Sequence, residues 1–291
     1  MSQMAKRQLR SSVRIVRPPT QQDREQDVIL QNKVAVIYGA AGDIGSAVAR
    51  AFAAEGAKVF LTGHILAPVK AVAKDIVSRG GSAEAGEVDA LDEKAVDTHL
   101  HSVIDKAGRV DISFNAIGIP DAKVLGVPLL EMDAKQFSLP ITAYTTSYFL
   151  TARLAARRMI ANKSGVIMTV SALPARFGTR LNGGYGSAVA AKEALTRDLS
   201  AELAPQGIRV VSLRPHGMPE TKMMKELFEI KAPAMGGITW EGFQGYLAGM
   251  THPRRVMKLE EMANTAAFVA SDKASGLTGT TVNLTMGSLD D

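Results

Sequence analysis

Seven residues, Gly39-Ala40-Ala41-Gly42-Asp43-Ile44-Gly45, have the composition of a phosphate-binding turn. The apolar run 34–37 before them predicts a strand, and apolar residues at helical spacing after them predict a helix that ends before Gly56. Glycine allows a sharp turn and close approach of a ligand, and backbone N–H groups at the start of a helix attract phosphate. The residues expected to hold the pyrophosphate of a dinucleotide are Gly39, Ala41, Gly42, Asp43, Ile44 and Gly45.

The rest of the sequence alternates between short apolar runs and stretches with helical periodicity. Strands are predicted at 58–61, 85–88, 110–114, 166–170, 208–213 and 280–284. Helices are predicted at 66–79, 92–107, 134–161, 185–204 and 259–271, and a methionine-rich stretch before the last of them is predicted to be irregular. This alternation is typical of a single α/β domain, here residues 33–291. In such a domain helices cover both faces of a doubly wound parallel sheet, the Rossmann fold.

Landmarks spread over residues 33–287 together resemble the short-chain dehydrogenase/reductase family. They are the glycine turn, Asn115-Ala116-Ile117-Gly118 after a predicted strand, Tyr185 on a predicted helix, Gly207-Ile208-Arg209-Val210, and the segment from Pro215 to Thr221. The family pattern has Thr at the position of Tyr38 and often Gly at that of Asp43, and one residue is inserted around His216. The resemblance implies an oxidoreductase that binds NAD or NADP.

The resemblance also implies contacts to the rest of the dinucleotide. Asp89 would contact the adenine and Asn115 would pack beside the ribose, whereas their structural alternatives are a turn-forming Asp and a strand-end Asn. The further residues expected to contact the cofactor are Ala90, Ala116, Ile117, Tyr185, Pro215, Gly217 and Thr221.

The end of the second strand bears on which dinucleotide is preferred. Gly63 stands where an acidic residue would bind the ribose hydroxyls and repel a 2′-phosphate. His64 stands where relatives that use NADP often carry Arg. This favours NADP(H) over NAD(H), and the alternative is that His64 is a solvent-exposed loop residue without a ligand.

The resemblance implies a catalytic set of Asn, Ser, Tyr and Lys, of which one member is clearly present. Tyr185 lies 22 residues before Gly207, as the family pattern requires. The lysine position, four residues past the tyrosine, is Val189, and the serine position, 13 residues before it, is Ala172. The assisting asparagine position falls on Tyr144. Catalysis of the family's usual kind therefore depends on Tyr185.

Two neighbouring residues offer partial replacements. Lys192 lies seven residues past Tyr185, about 10 Å along a helix axis, which is far for a substitute. Ser171 precedes Ala172, and adjacent strand residues face opposite sides, so Ser171 reaches the site only if the strand ends early or bulges. The candidate catalytic residues are Tyr185 and Ser171.

The segment 219–255 occupies the place of the substrate lid in relatives. Its methionine and aromatic residues indicate either a hydrophobic organic substrate or core and subunit packing. The predicted helices at 134–161 and 185–204 resemble those that form the family's subunit contacts, which implies a homodimer or homotetramer. The leading hypothesis is NADP(H)-linked carbonyl reduction or alcohol oxidation, with Tyr185 as proton donor. The alternative is a non-redox NAD(P)-binding regulator or scaffold.

Composition excludes several classes of site. The chain has no cysteine, which excludes disulfides and cysteine-based metal sites, and its five histidines show no metal-binding spacing, so no metal site is expected. Neither a membrane-spanning run nor a secretory signal is recognisable, so the expected location is the cytoplasm.

The net charge of +5 is concentrated before residue 18, in an extension, residues 1–32, expected to be flexible or packed on a neighbour. Binding of nucleic acid through this basic extension is the weakest hypothesis.

Overall fold

The computed structural model describes residues 28–120 and 124–290. Its centre is a sheet of seven parallel strands in the order β3-β2-β1-β4-β5-β6-β7. The strands are β1 (Val34–Tyr38), β2 (Lys58–Gly63), β3 (Ser82–Glu87), β4 (Ile112–Asn115), β5 (Gly165–Val170), β6 (Ile208–Pro215) and β7 (Thr280–Leu284).

Helices cover both faces of the sheet. They are α1 (Asp43–Ala54), α2 (Leu66–Ser78), α3 (Glu93–Ala107), α4 (Ala134–Met159), α5 (Tyr185–Leu203), α6 (Lys222–Lys231), α7 (Trp240–Gly249) and α8 (Leu259–Ala270). Buried residues of α1, α2 and α8 share one apolar core, and those of α3 and α4 share the other with α5 packed against it. Strand residues alternate between the two cores because successive side chains point to opposite faces.

The strand order reverses beside β1. From β1 the chain runs outward to β2 and β3, then returns to β4 on the other side of β1. Tyr38 at the end of β1 is in register with Asn115 at the end of β4. In doubly wound sheets ligands bind in the crevice at such a switch point, outside the carboxyl ends of the strands.

The predicted Rossmann fold is confirmed, with two local corrections. β3 is Ser82–Glu87 and not 85–88, because this edge strand is only partly buried and lacks a continuous apolar run. The methionine-rich stretch is not irregular: it contains α6 and α7, whose apolar residues pack on each other.

The basic extension and any membrane-spanning segment were the remaining questions about the fold. Most of the predicted basic extension, residues 1–27, lies outside the described residues. Among the helices of the described part, none is long and apolar enough to cross a membrane.

Candidate active site

The glycine turn leaves β1 in a conformation that only small residues allow. Gly39 has a φ of +74°, and a Cβ there would lie 2.6 Å from the carbonyl oxygen of Ala116. A Cβ on Gly45 would collide with the carbonyl oxygen of Gly39. The backbone of the turn is therefore packed directly against itself and against the segment that follows β4.

The start of α1 is open to a ligand. Gly42 is the N-cap, makes no side-chain capping bond, and is exposed together with Ala41. The first N–H groups of a helix have no partner within the helix, so those of α1 are available to an anion. A narrow glycine cradle ending at an uncapped helix fits the pyrophosphate of a dinucleotide.

Asp43, the first residue of α1, turns its side chain to a distant part of the chain. Its Oδ2 accepts a hydrogen bond of 2.7 Å from the backbone N–H of Lys222, the first residue of α6. The carboxylate thus joins the glycine turn to the segment 219–255. We call α6, α7 and the rest of residues 219–255 the lid.

The residues predicted to meet the adenine and ribose lie along the ends of β2, β3 and β4. His64 is exposed immediately after β2, and Asp89 is exposed with its Oδ1 accepting from the N–H of Leu91 at 2.9 Å. Asn115 is buried, donates to Thr151 Oγ1 at 3.1 Å and accepts from the N–H of Ile117. The hydrogen bonds of Asp89 and Asn115 are those expected of a turn-forming Asp and a strand-end Asn. Contact of these residues and of His64 with a cofactor stays a prediction.

Tyr185 is the first residue of α5 and is partly exposed. Its ring meets the ring of Tyr144 edge to face, with centroids 5.8 Å apart and an interplanar angle of 70°. The Tyr144 hydroxyl accepts a hydrogen bond of 3.2 Å from the N–H of Ile119. Since Ala116 and Ile117 lie against Gly39, this short segment links Tyr185 to the glycine turn.

The helix position one turn after Tyr185 holds no cation. Val189 is buried there, and Lys192 is 2% exposed further along α5. The Lys192 Nζ lies 5.7 Å from the ring centroid of Tyr144 and 5.9 Å from that of Tyr148. Burial lowers the pKa of Lys192 to about 7. The amine therefore lies beneath the ring of Tyr144, which in turn contacts the ring of Tyr185.

Ser171 belongs to a buried ionic network that the sequence analysis missed. Its hydroxyl donates to Glu193 Oε1 at 2.6 Å, and Arg214 donates to both carboxylate oxygens of Glu193 at 2.8 and 2.7 Å. All three side chains are at most 5% exposed. In this arrangement the Ser171 proton is directed at Glu193, and a catalytic role for Ser171 stays a prediction. Ala172 beside it offers no hydroxyl.

The end of β6 leads into the lid. Pro215 is the last residue of β6, and a Cβ on Gly217 would touch the side chain of Met224 in α6, which is part of the lid. Thr221 donates its hydroxyl to the carbonyl of Met218 at 2.8 Å and caps α6. His216 is 2% exposed, burial lowers its pKa, and neither ring nitrogen has a hydrogen-bond partner within the described residues.

The aromatic residues of the lid form a cluster of their own. Phe228 lies 5.3 Å from Trp240 and 5.5 Å from Phe243, measured between ring centroids. This core is separate from the two that flank the sheet. Of the two explanations for the aromatic residues, mutual packing accounts for these three, whereas Tyr246 remains 47% exposed.

Comparison with known proteins identifies the family. A family model described as enoyl-(acyl carrier protein) reductase matches residues 39–288. The chain belongs to the short-chain dehydrogenase/reductase family. It is 32% identical over 250 residues to an uncharacterized oxidoreductase, YxbG, of Bacillus subtilis strain 168, a match that covers 86% of this chain and 88% of that one.

Two further relatives agree. The 3-oxoacyl-[acyl-carrier-protein] reductase FabG of Escherichia coli K12 is 29% identical over 260 residues, covering 88% of this chain and 97% of the relative. The structure of an NAD⁺-bound xylitol dehydrogenase matches with a TM-score of 0.81 and 25% identity, covering 88% of this chain and 98% of that one. This short-chain dehydrogenase/reductase is accordingly an oxidoreductase of the NAD(P)-binding type.

Glu193 and Arg214, the partners of Ser171 that were not predicted, are only weakly indicated by the sequence. Arg214 lies within β6 among buried residues, and Glu193 lies on the face of α5 that carries Val189. A charge in a buried pattern calls for a partner, because an unpaired buried charge is very costly. The identity of that partner depends on how β6 packs against α5, which no local pattern reveals.

Proposed function

We propose that this short-chain dehydrogenase/reductase transfers hydride between NADP(H) and the carbonyl or alcohol group of a small apolar molecule, with Tyr185 as the proton donor in reduction. The observation that carries the proposal is the position of Tyr185, partly exposed at the start of α5 and joined through Tyr144 to the segment behind the glycine turn. When bound, the dinucleotide supplies or accepts the hydride.

The proton chemistry belongs to the chain. A phenol ordinarily keeps its proton at neutral pH, since its reference pKa is about 10. Tyr185 would donate this proton to the substrate oxygen as the carbonyl carbon receives hydride, and the phenolate would recover a proton from water. Because Val189 supplies no cation one turn away, this site suits reduction better than the removal of a proton from an alcohol.

The cofactor seat is proposed to consist mainly of backbone. Gly39, Ala41, Gly42, Ile44 and Gly45 would surround the pyrophosphate with N–H groups at the start of α1. The exposure of Ala41 and Gly42 supports this assignment. The side chain of Asp43 instead accepts a hydrogen bond from the N–H of Lys222.

The preference for NADP(H) rests on the end of β2. Gly63 leaves this position without a carboxylate that would repel a 2′-phosphate, and the exposed His64 can donate a hydrogen bond to one. Comparing the dissociation constants of NADPH and NADH tests the preference. Equal affinities, or tighter NADH binding, would contradict it.

The apolar class of the substrate rests on the lid. Although Phe228, Trp240 and Phe243 pack on one another, partly buried apolar side chains such as Leu227 and Ile238 border that cluster. A lid built from such residues favours an organic carbonyl compound over a highly charged one.

The test follows NADPH absorbance with a panel of apolar ketones and aldehydes. We expect turnover with at least one of them, and a loss of about hundredfold or more in kcat/KM for Tyr185→Phe. Tyr38→Phe is the matched control, because it removes a buried phenol that has no hydrogen-bond partner in the described residues.

Two results would contradict this proposal. Turnover that survives Tyr185→Phe unchanged would remove Tyr185 from the mechanism. Tight NADPH binding without turnover on any carbonyl compound would instead support the alternative suggested by Ala172 and Val189, a dinucleotide-binding protein without redox activity.

A further inference from the structure

We propose that Asp43 is a positioning residue that ties the lid to the glycine turn, and that the same carboxylate lowers the affinity for the dinucleotide. The second part rests on the proposed binding of a dinucleotide at this turn. The first part concerns the protein alone and can be tested without any ligand.

The tie is a hydrogen bond between remote segments. The Asp43 Oδ2 accepts from the N–H of Lys222 at 2.7 Å across 179 positions of sequence. Lys222 is the first residue of α6. Thr221 is the N-cap, and its hydroxyl accepts from the N–H of Met224, three residues later. N–H groups in the first turn of a helix carry partial positive charge, so a carboxylate there makes a charge-assisted bond. Asp43 thus completes the capping of α6 from outside the helix.

Hydrogen bonds of this kind matter for the position of the lid, because the apolar core of the lid is separate from the cores beside the sheet. Met224, Phe243 and Leu247 form a cluster separate from the two cores beside the sheet. Other polar links lie at the borders of α6 and the lid. The Glu220 Oε2 accepts from the N–H of Leu259 at 2.5 Å, and Lys231 donates to Asn182 at 3.3 Å. Loss of one link is therefore expected to loosen α6 measurably.

The charge of Asp43 also bears on ligand binding. Asp43 is the first residue of α1, whose exposed and uncapped start is the seat proposed for the pyrophosphate. A pyrophosphate held there lies within a few ångströms of the carboxylate, and like charges at that distance repel. This repulsion weakens the binding of the dinucleotide. It also favours the position of the carboxylate in which Asp43 accepts from the N–H of Lys222. A bound dinucleotide would in this way strengthen the hold on the lid.

Three variants separate the two effects. Asp43→Asn removes the charge and keeps an oxygen that can accept from Lys222, whereas Asp43→Gly removes both. Glu220→Gln is the matched control, since it removes a charge that ties the root of the lid to α8 and not to the glycine turn. Circular dichroism and thermal unfolding establish that each variant is folded.

Dinucleotide affinity is measured by NADPH fluorescence at low and high salt. We expect Asp43→Asn to bind NADPH about three to thirty times more tightly than the wild type, with the gap narrowing as salt rises. Glu220→Gln is expected to bind as the wild type does. A purely structural role for Asp43 would not tighten binding. Unchanged or weaker binding by Asp43→Asn would overturn the charge effect.

Lid mobility is measured without ligand through Trp240, the single tryptophan of the chain, which packs against Phe228 of α6. We expect Asp43→Gly to show faster acrylamide quenching of Trp240 and faster proteolysis within 219–255, and Asp43→Asn to lie between it and the wild type. Wild-type quenching and proteolysis in Asp43→Gly would overturn the tie. If the wild type bound no dinucleotide, the proposed function and the charge effect would fail together, and the quenching result would still decide the tie.

Discussion

The glycine turn and the Tyr185 region lie at the same end of the parallel sheet, but they are built from different kinds of groups. The turn works through backbone geometry, with Gly39 and Gly45 packed against carbonyl oxygens that leave no room for a Cβ. The Tyr185 region works through side chains that project from a regular helix, where Val189 is accommodated without any change in the fold.

This difference predicts that the two regions tolerate substitution differently. A substitution in the turn disturbs the fold and the seat together, so the turn is constrained twice. A substitution at Tyr185, which is partly exposed at the start of α5, is expected to change chemistry alone. The buried face of α5 carries Lys192 and Glu193 instead, and Arg214 of β6 pairs with Glu193. Substitutions in each region test whether the two are separable in this way.

The largest effect is expected at the buried ion pair. Arg214→Met leaves the Glu193 carboxylate buried without its cation, which we expect to lower the free energy of unfolding by about 3–5 kcal/mol. Urea denaturation measures this loss. The double variant Arg214→Met/Glu193→Leu removes both charges and should recover most of it. Equal losses in the single and double variants would show that the pair contributes through packing alone.

Lys192 gives the next largest effect, and its sign depends on pH. Burial lowers the pKa of Lys192 to about 7, so between pH 7 and the ordinary lysine pKa the folded state binds fewer protons than the unfolded state. Stability contributed by this group therefore rises with pH over that window. Lys192→Met should raise the free energy of unfolding by about 4 kcal/mol at pH 7, and the gain should shrink toward pH 10.

The control for this prediction is Lys70→Met, which removes an exposed lysine from α2. Its effect on stability should be small and independent of pH. A difference between wild type and Lys192→Met that stays constant from pH 7 to pH 10 would contradict the buried-amine explanation.

A smaller effect is expected for Gly45→Ala, at the seat proposed for the dinucleotide. The added Cβ would collide with the carbonyl oxygen of Gly39, so we expect NADPH affinity to fall by about hundredfold, equivalent to about 3 kcal/mol. Titration of NADPH fluorescence gives the affinity. Gly276→Ala is the matched control, because a Cβ there meets no atom within 4 Å. If both variants bound NADPH equally well, the close packing of the turn would not matter for the seat.

The smallest effect concerns side-chain chemistry. Ala172→Ser with Val189→Lys, made in the Lys192→Met background to avoid two adjacent amines, should raise kcat/KM by about tenfold while NADPH affinity changes little. Steady-state kinetics and binding measured on the same preparation separate the two quantities. If kcat/KM and NADPH affinity changed in parallel, the glycine turn and the Tyr185 region would not be separable.

The architecture was predictable because it depends on local and periodic signals. Apolar runs and helical spacing gave six of the seven strands and the helices around them to within about two residues, and α5 begins at Tyr185 as expected. β3 was displaced because an edge strand needs no continuous apolar run. The helices of the lid were missed because their apolar residues pack on each other in a small separate core.

The sequence by itself determined the parallel sheet, the strand–turn–helix unit at Gly39–Gly45, and the presence of Tyr185 without a lysine four residues later. These follow from residue type and spacing along a few turns of chain. Only the tertiary structure decided that Asp43 caps α6, that Ser171 donates to Glu193, and that Lys192 lies beneath Tyr144. Each of these joins residues from different elements. Such contacts depend on how the helices pack against the sheet, and no local pattern encodes that packing.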